Sequence, residues 1–163
     1  MAGFNRGALE ELFDYTEFAW NAIMAELAPY GDEIASRPAP GSGWPALRDC
    51  LAHILLAYDR WLSEKPSGLP EYAEDDFRTM AQLKAYRANV RDRFREYLAW
   101  SDEELYAVRD VEIDGAPVPY SRCELLAHLL LHERGHHGDV STLFYQLGIE
   151  APQMEYRFHL ARE

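Results

Sequence analysis

Cysteine is scarce: only Cys50 and Cys123 occur in 163 residues. Their spacing fits neither a zinc ribbon nor a disulfide framework. The expectation is a reduced, cytoplasmic setting with both thiols buried. Basic stripes are also absent. Lys and Arg number 16 against 28 Asp and Glu, the net charge is −12, and the cations are scattered. Such an acidic surface repels phosphate backbones, so no nucleic-acid partner is expected. No apolar run is long enough to cross a bilayer, and MAGFNRGALEELFDY lacks the charged-then-apolar order of a signal segment. No membrane partner is expected either. Internal repeats and low-complexity tracts are missing.

What is present is apolar and aromatic residues in helical order. The chain is 48% apolar and 13% aromatic, which argues against disorder. Its length predicts one domain over residues 1–163 with a sizeable core. The periodicity predicts a first helix over Ala8–Leu27, with Leu9, Phe13, Thr16, Trp20, Ile23 and Leu27 on one face. SRPAPGSGW reads as a linker, and Pro45 suits the first turn of a second helix ending near Leu62. KPSGLPEY breaks the chain again. A third helix is expected over Phe77–Trp100. Ser101 with Glu104 then forms a capping box for a short helical turn. VEIDGAPVPY reads as a small hairpin or turn. Ser121 with Glu124 starts a fourth helix that runs to Leu147, and Gly148 is placed to end it. Four amphipathic helices with a short hairpin-like excursion before the last one predict an all-α four-helix bundle.

The chemistry concentrates in LLAHLLLHERGHHGD. His128, His132 and His136 lie four apart, so neighbours in the series stack on one helix face. At about 100° per residue, His132 and His136 share the stripe of Leu125, Leu129, Leu143 and Leu147. His128 is displaced to a flank, His137 points well away, and Asp139 lies at the stripe's edge. His132 with His136 is therefore the favoured ligand pair for a divalent metal, and His128 with His132 the runner-up. A core histidine is usually just hydrogen-bonded. Burying two on one stripe, however, needs partners for four ring nitrogens. His53 falls roughly 100° off the apolar stripe of the second helix, among Ala46, Cys50 and Ala57. Periodicity alone leaves it a surface histidine, although such small neighbours also leave room for a metal. Glu133 phases away from His132 and reads as a surface or helix-packing residue rather than a general base. Arg60 reads as a solvated helix residue, with a carboxylate-holding role as the sharper alternative. Cys50 reads as a buried thiol.

GSGWPALRDCLAHILLAYDRWL resembles the second-helix signature of the DinB/YfiT-like superfamily, in which a Gly-Ser turn leads into a helix carrying one metal-binding histidine. SRCELLAHLLLHERGHHGDVSTLFYQLGIEAP resembles that family's last bundle helix, an H-E-x-x-H-x-G-Q run ending in L-x-x-L-G. The pieces follow in order along nearly the whole chain. The resemblance implies a four-helix bundle, a homodimer, and a divalent metal on three histidines, which by position are His53, His132 and His136. Zinc suits three imidazoles best, with nickel or iron as alternatives. Two positions depart from the pattern: His137 stands where Arg is common, and Asp139 where Gln is common. The implied function is metal-dependent chemistry on a small molecule, either transfer of a low-molecular-weight thiol or hydrolysis. A non-catalytic, stress-associated metal- or ligand-binding bundle is the alternative.

Overall fold

The computed structural model describes residues 3–62, 76–113 and 116–161. The described chain is mostly helical, and four long helices dominate it. These are α1 (Arg6–Leu27), α3 (Leu47–Leu62), α4 (Met80–Leu98) and α6 (Arg122–Leu147). Three short helices accompany them: α2 (Gly31–Ser36), α5 (Asp102–Tyr106) and α7 (Tyr156–Leu160). A ribbon of β1 (Val108–Ile113) and β2 (Ala116–Ser121) precedes α6. Helix α6 packs against α3 and α1, and α4 closes the ring against the same two helices. The expected all-α bundle and its late hairpin are both observed.

Local chemistry explains most of the boundaries. The Asn5 side chain accepts from the Ala8 N–H at 2.9 Å and starts α1. Ser101–Glu104 and Ser121–Glu124 both form reciprocal capping boxes. A third box, Thr79 with Gln82, moves the start of α4 to Met80, three residues later than the periodicity suggested, and α4 ends at Leu98. Pro45 lies just outside α3 rather than in its first turn. Gly148 adopts φ 74°, the left-handed conformation in which glycine ends a helix at least cost. Two short helices were not anticipated, α2 and α7. Each is too brief to show a period. In the ribbon, Ile113 pairs with Ala116 in antiparallel register. The Asp114-Gly115 turn and the KPSGLPEY break lie outside the described residues. Pro117 and Pro119 stand two apart on β2, so their missing N–H groups fall on one edge, which blunts further strand addition.

Leu9, Leu51, Leu83, Phe94, Leu129 and Phe144 are among the fully buried side chains that fill the centre. Each contributes about 1.5–3 kcal/mol through apolar burial. One polar cluster interrupts this core. Glu133 of α6 is 1% exposed, which rules out the surface reading and leaves the helix-packing one. The Tyr58 hydroxyl donates to its Oε2 at 2.6 Å, Arg87 donates to its Oε1 at 3.2 Å, and Arg91 reaches Oε2 at 3.5 Å. Both arginines also bond Glu17 of α1, at 2.7 and 2.6 Å. Burial alone would raise the Glu133 carboxyl, but Arg87 and Arg91 outweigh it and hold it below its ordinary value. The burial of Glu133 has a simple cause. Helix α6 is covered on two sides, so a residue 100° from the His132 stripe still faces the interior.

Candidate metal centre

Helices α3 and α6 meet along a seam that carries His53 on one side and His132 and His136 on the other. The rings converge. Centroids lie 5.4 Å apart for His53–His132, 5.0 Å for His53–His136 and 4.5 Å for His132–His136. One nitrogen from each ring lies within 4.8 Å of the other two, a group able to hold a metal ion. All three residues are half-buried. His53 is thus not the free-standing surface histidine that periodicity alone suggested. The small residues around it let α3 approach α6 closely enough for its ring to reach the other two.

The donor set fits a divalent ion. The Nε2 atoms of His132 and His136 are 3.2 Å apart. Metal–nitrogen bonds of about 2.1 Å would place neighbouring ligands about 3.0 Å apart in an octahedron and about 3.4 Å apart in a tetrahedron. The Nδ1 of His136 lies 2.9 Å from Asp139 Oδ2. An ionised carboxylate there accepts the Nδ1–H, so the His136 proton sits on Nδ1 and the Nε2 lone pair faces His132. This is the arrangement by which a carboxylate fixes the tautomer of a ligand histidine. The His132 ring is pushed down to about 4, first by burial and then by the neighbouring imidazoles of His136, His53 and His128. It is neutral near pH 7, as a ligand must be. Its Nδ1 is buried and has no hydrogen-bond partner among the described residues.

Trp44 was not foreseen as part of this site. Its indole N–H donates to Asp139 Oδ2 at 3.2 Å, and its ring lies 5.0 Å from His53 and 5.5 Å from His136. The Gly-Ser-Gly turn delivers it. Gly41 and Gly43 adopt φ 89° and 85°, a region that disfavours any residue with a side chain. Between them the Ser42 hydroxyl accepts the Trp44 N–H at 3.1 Å and lies 2.8 Å from the carbonyl oxygens of Ala39 and Trp44. A tryptophan inside a Pro/Gly-rich linker was the available cue.

The remaining candidates separate cleanly. His128 is exposed, with its ring 6.2 Å from His132 and 6.0 Å from Trp61, at the rim of the site. Arg60 is exposed. Cys50 is buried, and burial pushes its thiol up to about 12, with Asp139 and Asp49 adding to the effect. It forms a second candidate group with His136 and Asp139, which competes with the hydrogen bond that orients His136. His137 does point away from the three rings, but into the protein: it is 2% exposed and meets the Tyr15 ring of α1 edge-on at 6.0 Å.

No helix among the described residues is long and apolar enough to cross a membrane. No curated protein matches the chain. Residues 2–163 match the DinB family, so this chain, essentially from end to end, belongs to that family.

Proposed function

We propose that His53, His132 and His136 hold one divalent metal, zinc in the first instance and nickel or iron as alternatives, and that the protein is a metal-dependent enzyme acting on a small molecule. The observation that carries this reading is the convergence of three imidazoles, with His136 fixed on Asp139 so that its lone pair points into the group. An ion there would supply Lewis acidity, either holding a low-molecular-weight thiol as its thiolate or polarising a carbonyl.

The chain's own residues do the rest. Asp139 orients His136 and anchors Trp44. Trp44 shields one flank of the group from water, while His128 and Trp61 border another. Neither Glu133 nor Cys50 is assigned a part in the reaction: Glu133 is consumed by its arginines, and the Cys50 thiol stays protonated. The reading favours a thiol S-transferase or a hydrolase, working as a homodimer in a reducing cytoplasm, without nucleic-acid or membrane partners. The net charge of −12 and the two unpaired buried cysteines support this setting.

Elemental analysis of the purified protein tests the metal. Incubation with low-molecular-weight thiols and an electrophile, followed by product detection, tests turnover. About one ion per chain with thiol consumption is expected. Bound metal without turnover of thiols or esters would leave a binding protein instead, and no bound metal would overturn the assignment of the three histidines.

A further inference from the structure

We propose that Cys50, His136 and Asp139 form a second metal site, for a thiophilic divalent ion, and that an ion there takes His136 away from the three-histidine group. Cys50 comes from α3, one turn before His53, and His136 and Asp139 lie three apart on α6. One ligand atom of each lies within 4.8 Å of the other two. The set mixes a soft sulfur with nitrogen and oxygen, unlike the all-nitrogen group beside it, so it favours a softer ion. It does not depend on the three-histidine ion, although it shares a ring with that group.

Three observations carry the proposal. The first is the thiol. Cys50 is wholly buried, and its Sγ makes no hydrogen bond among the described residues. Burial pushes the thiol up, and Asp139 pushes it further, as a carboxylate does with no cation between it and the sulfur. A thiolate and a carboxylate together carry two negative charges, which a divalent ion neutralises.

The second is the carboxylate. Oδ2 of Asp139 receives both the Trp44 indole N–H, at 3.2 Å, and His136 Nδ1, at 2.9 Å. Oδ1 makes no hydrogen bond among the described residues, and the side chain is 42% exposed. Asp139 therefore opens the group to solvent. A bare divalent ion is smaller than a water molecule, so a sulfur that water does not touch is within its reach once the carboxylate has drawn it in.

The third is that His136 can serve either group. Its Nε2 lies 3.2 Å from His132 Nε2, a distance that suits two nitrogens sharing an ion and equally an N–H···N hydrogen bond. When the ring proton moves from Nδ1 to Nε2, Nε2 donates to His132, and the Nδ1 lone pair faces the carboxylate. The soft ion then bonds Nδ1, an Asp139 oxygen and Sγ. The S–H bond breaks and its proton leaves to solvent, one for each ion bound. The three-histidine group keeps only His53 and His132, so the two sites exclude each other.

The test titrates the metal-free full chain with Cd²⁺ alone. It follows the ultraviolet thiolate-to-metal charge-transfer band and the ¹¹³Cd resonance, whose position reports a sulfur ligand. A saturating band is expected, with about one ion per chain. Cys50→Ser should abolish it, and Asp139→Asn should weaken Cd²⁺ binding at least about tenfold. His132→Ala, which dismantles the three-histidine group, should keep it. Absence of the band in the wild type overturns the proposal and leaves the three-histidine reading, which rests on zinc content, untouched. A band that survives Cys50→Ser belongs to Cys123 and overturns it too, as does unchanged binding by Asp139→Asn. Loss of the band in His132→Ala would mean that the thiol only completes the three-histidine ion, and two ions bound at once would refute the exclusion. The ¹¹³Cd position needs no variant: a wild-type resonance without sulfur refutes the site even where Cys50→Ser fails to fold.

Discussion

Replacing Glu133 by alanine should destabilise the protein by about 3 kcal/mol. The carboxylate is buried against two guanidinium groups and a tyrosine. Breaking a buried ion pair by removing one partner typically costs about 3–5 kcal/mol, because the other charge is left uncompensated. Other partners hold the value to the low end, and the weakness of one of them keeps it from falling further. Arg87 keeps Glu17 and the Thr16 carbonyl, and Arg91 keeps Glu17, Thr16 and the Phe13 carbonyl, so neither cation is stranded. Glu17 is only partly buried and so offsets the charge incompletely. Glu133→Gln retains an acceptor for the Tyr58 hydroxyl and should cost less, about 1–2 kcal/mol. Urea unfolding of the wild type and both variants reads these differences, provided the slopes agree. A loss below about 1 kcal/mol for Glu133→Ala would refute the reasoning, for it would mean that water, not Glu133, compensates the arginines.

The metal reading makes its own demands. His132→Ala and His53→Ala should each abolish stoichiometric metal, whereas His137→Ala should leave it nearly intact; plasma emission analysis of each variant decides. Asp139→Asn should weaken metal binding about 10–100-fold, since the amide no longer holds the His136 tautomer as firmly; competition with a chelating dye measures this. Burial depresses both His132 and His137 to about 4 from an ordinary 6.5. The unfolded chain therefore binds more protons between those values. This contribution to stability is complete above about 6.5 and falls away as the pH drops toward 4, and a flat melting temperature from pH 7 to pH 4.5 in the metal-free protein would contradict it. Cys50 should react with iodoacetamide in the folded protein far more slowly than a free thiol, since it is buried and its thiol lies near 12; mass spectrometry of timed samples checks this.

Capping chemistry was the most legible part of the fold. Ser101–Glu104, Ser121–Glu124 and Gly148 each act within one turn of chain, and each marks an observed boundary. Thr79–Gln82 obeys the same rule with glutamine in place of glutamate, and it corrects a start drawn from periodicity alone. The histidine pair on α6 was legible because four-residue spacing is a property of one helix. His53 was not. Its partners lie on another helix, and a single-helix wheel cannot report what faces its flank. The family resemblance supplied it. The burial of Glu133 and His137 stayed open for a related reason: a wheel assumes one buried side, and α6 has two. Trp44 depends on backbone signs at Gly41 and Gly43, which composition alone does not reveal.

The position of Glu133 has a consequence for how the bundle is assembled. It sits beside His132 in sequence but faces the other way, locked to α4 through Arg87 and Arg91. Turning α6 about its axis far enough to withdraw its two imidazoles from α3 would drag this carboxylate off its arginines. The network thus acts as a detent on the rotation of α6. Its contribution lies less in total stability than in selecting one azimuth among several that leucines and phenylalanines would tolerate. A chain with that cluster exchanged for apolar residues of similar volume could stay folded, even gain stability, and yet let its histidines drift out of aim.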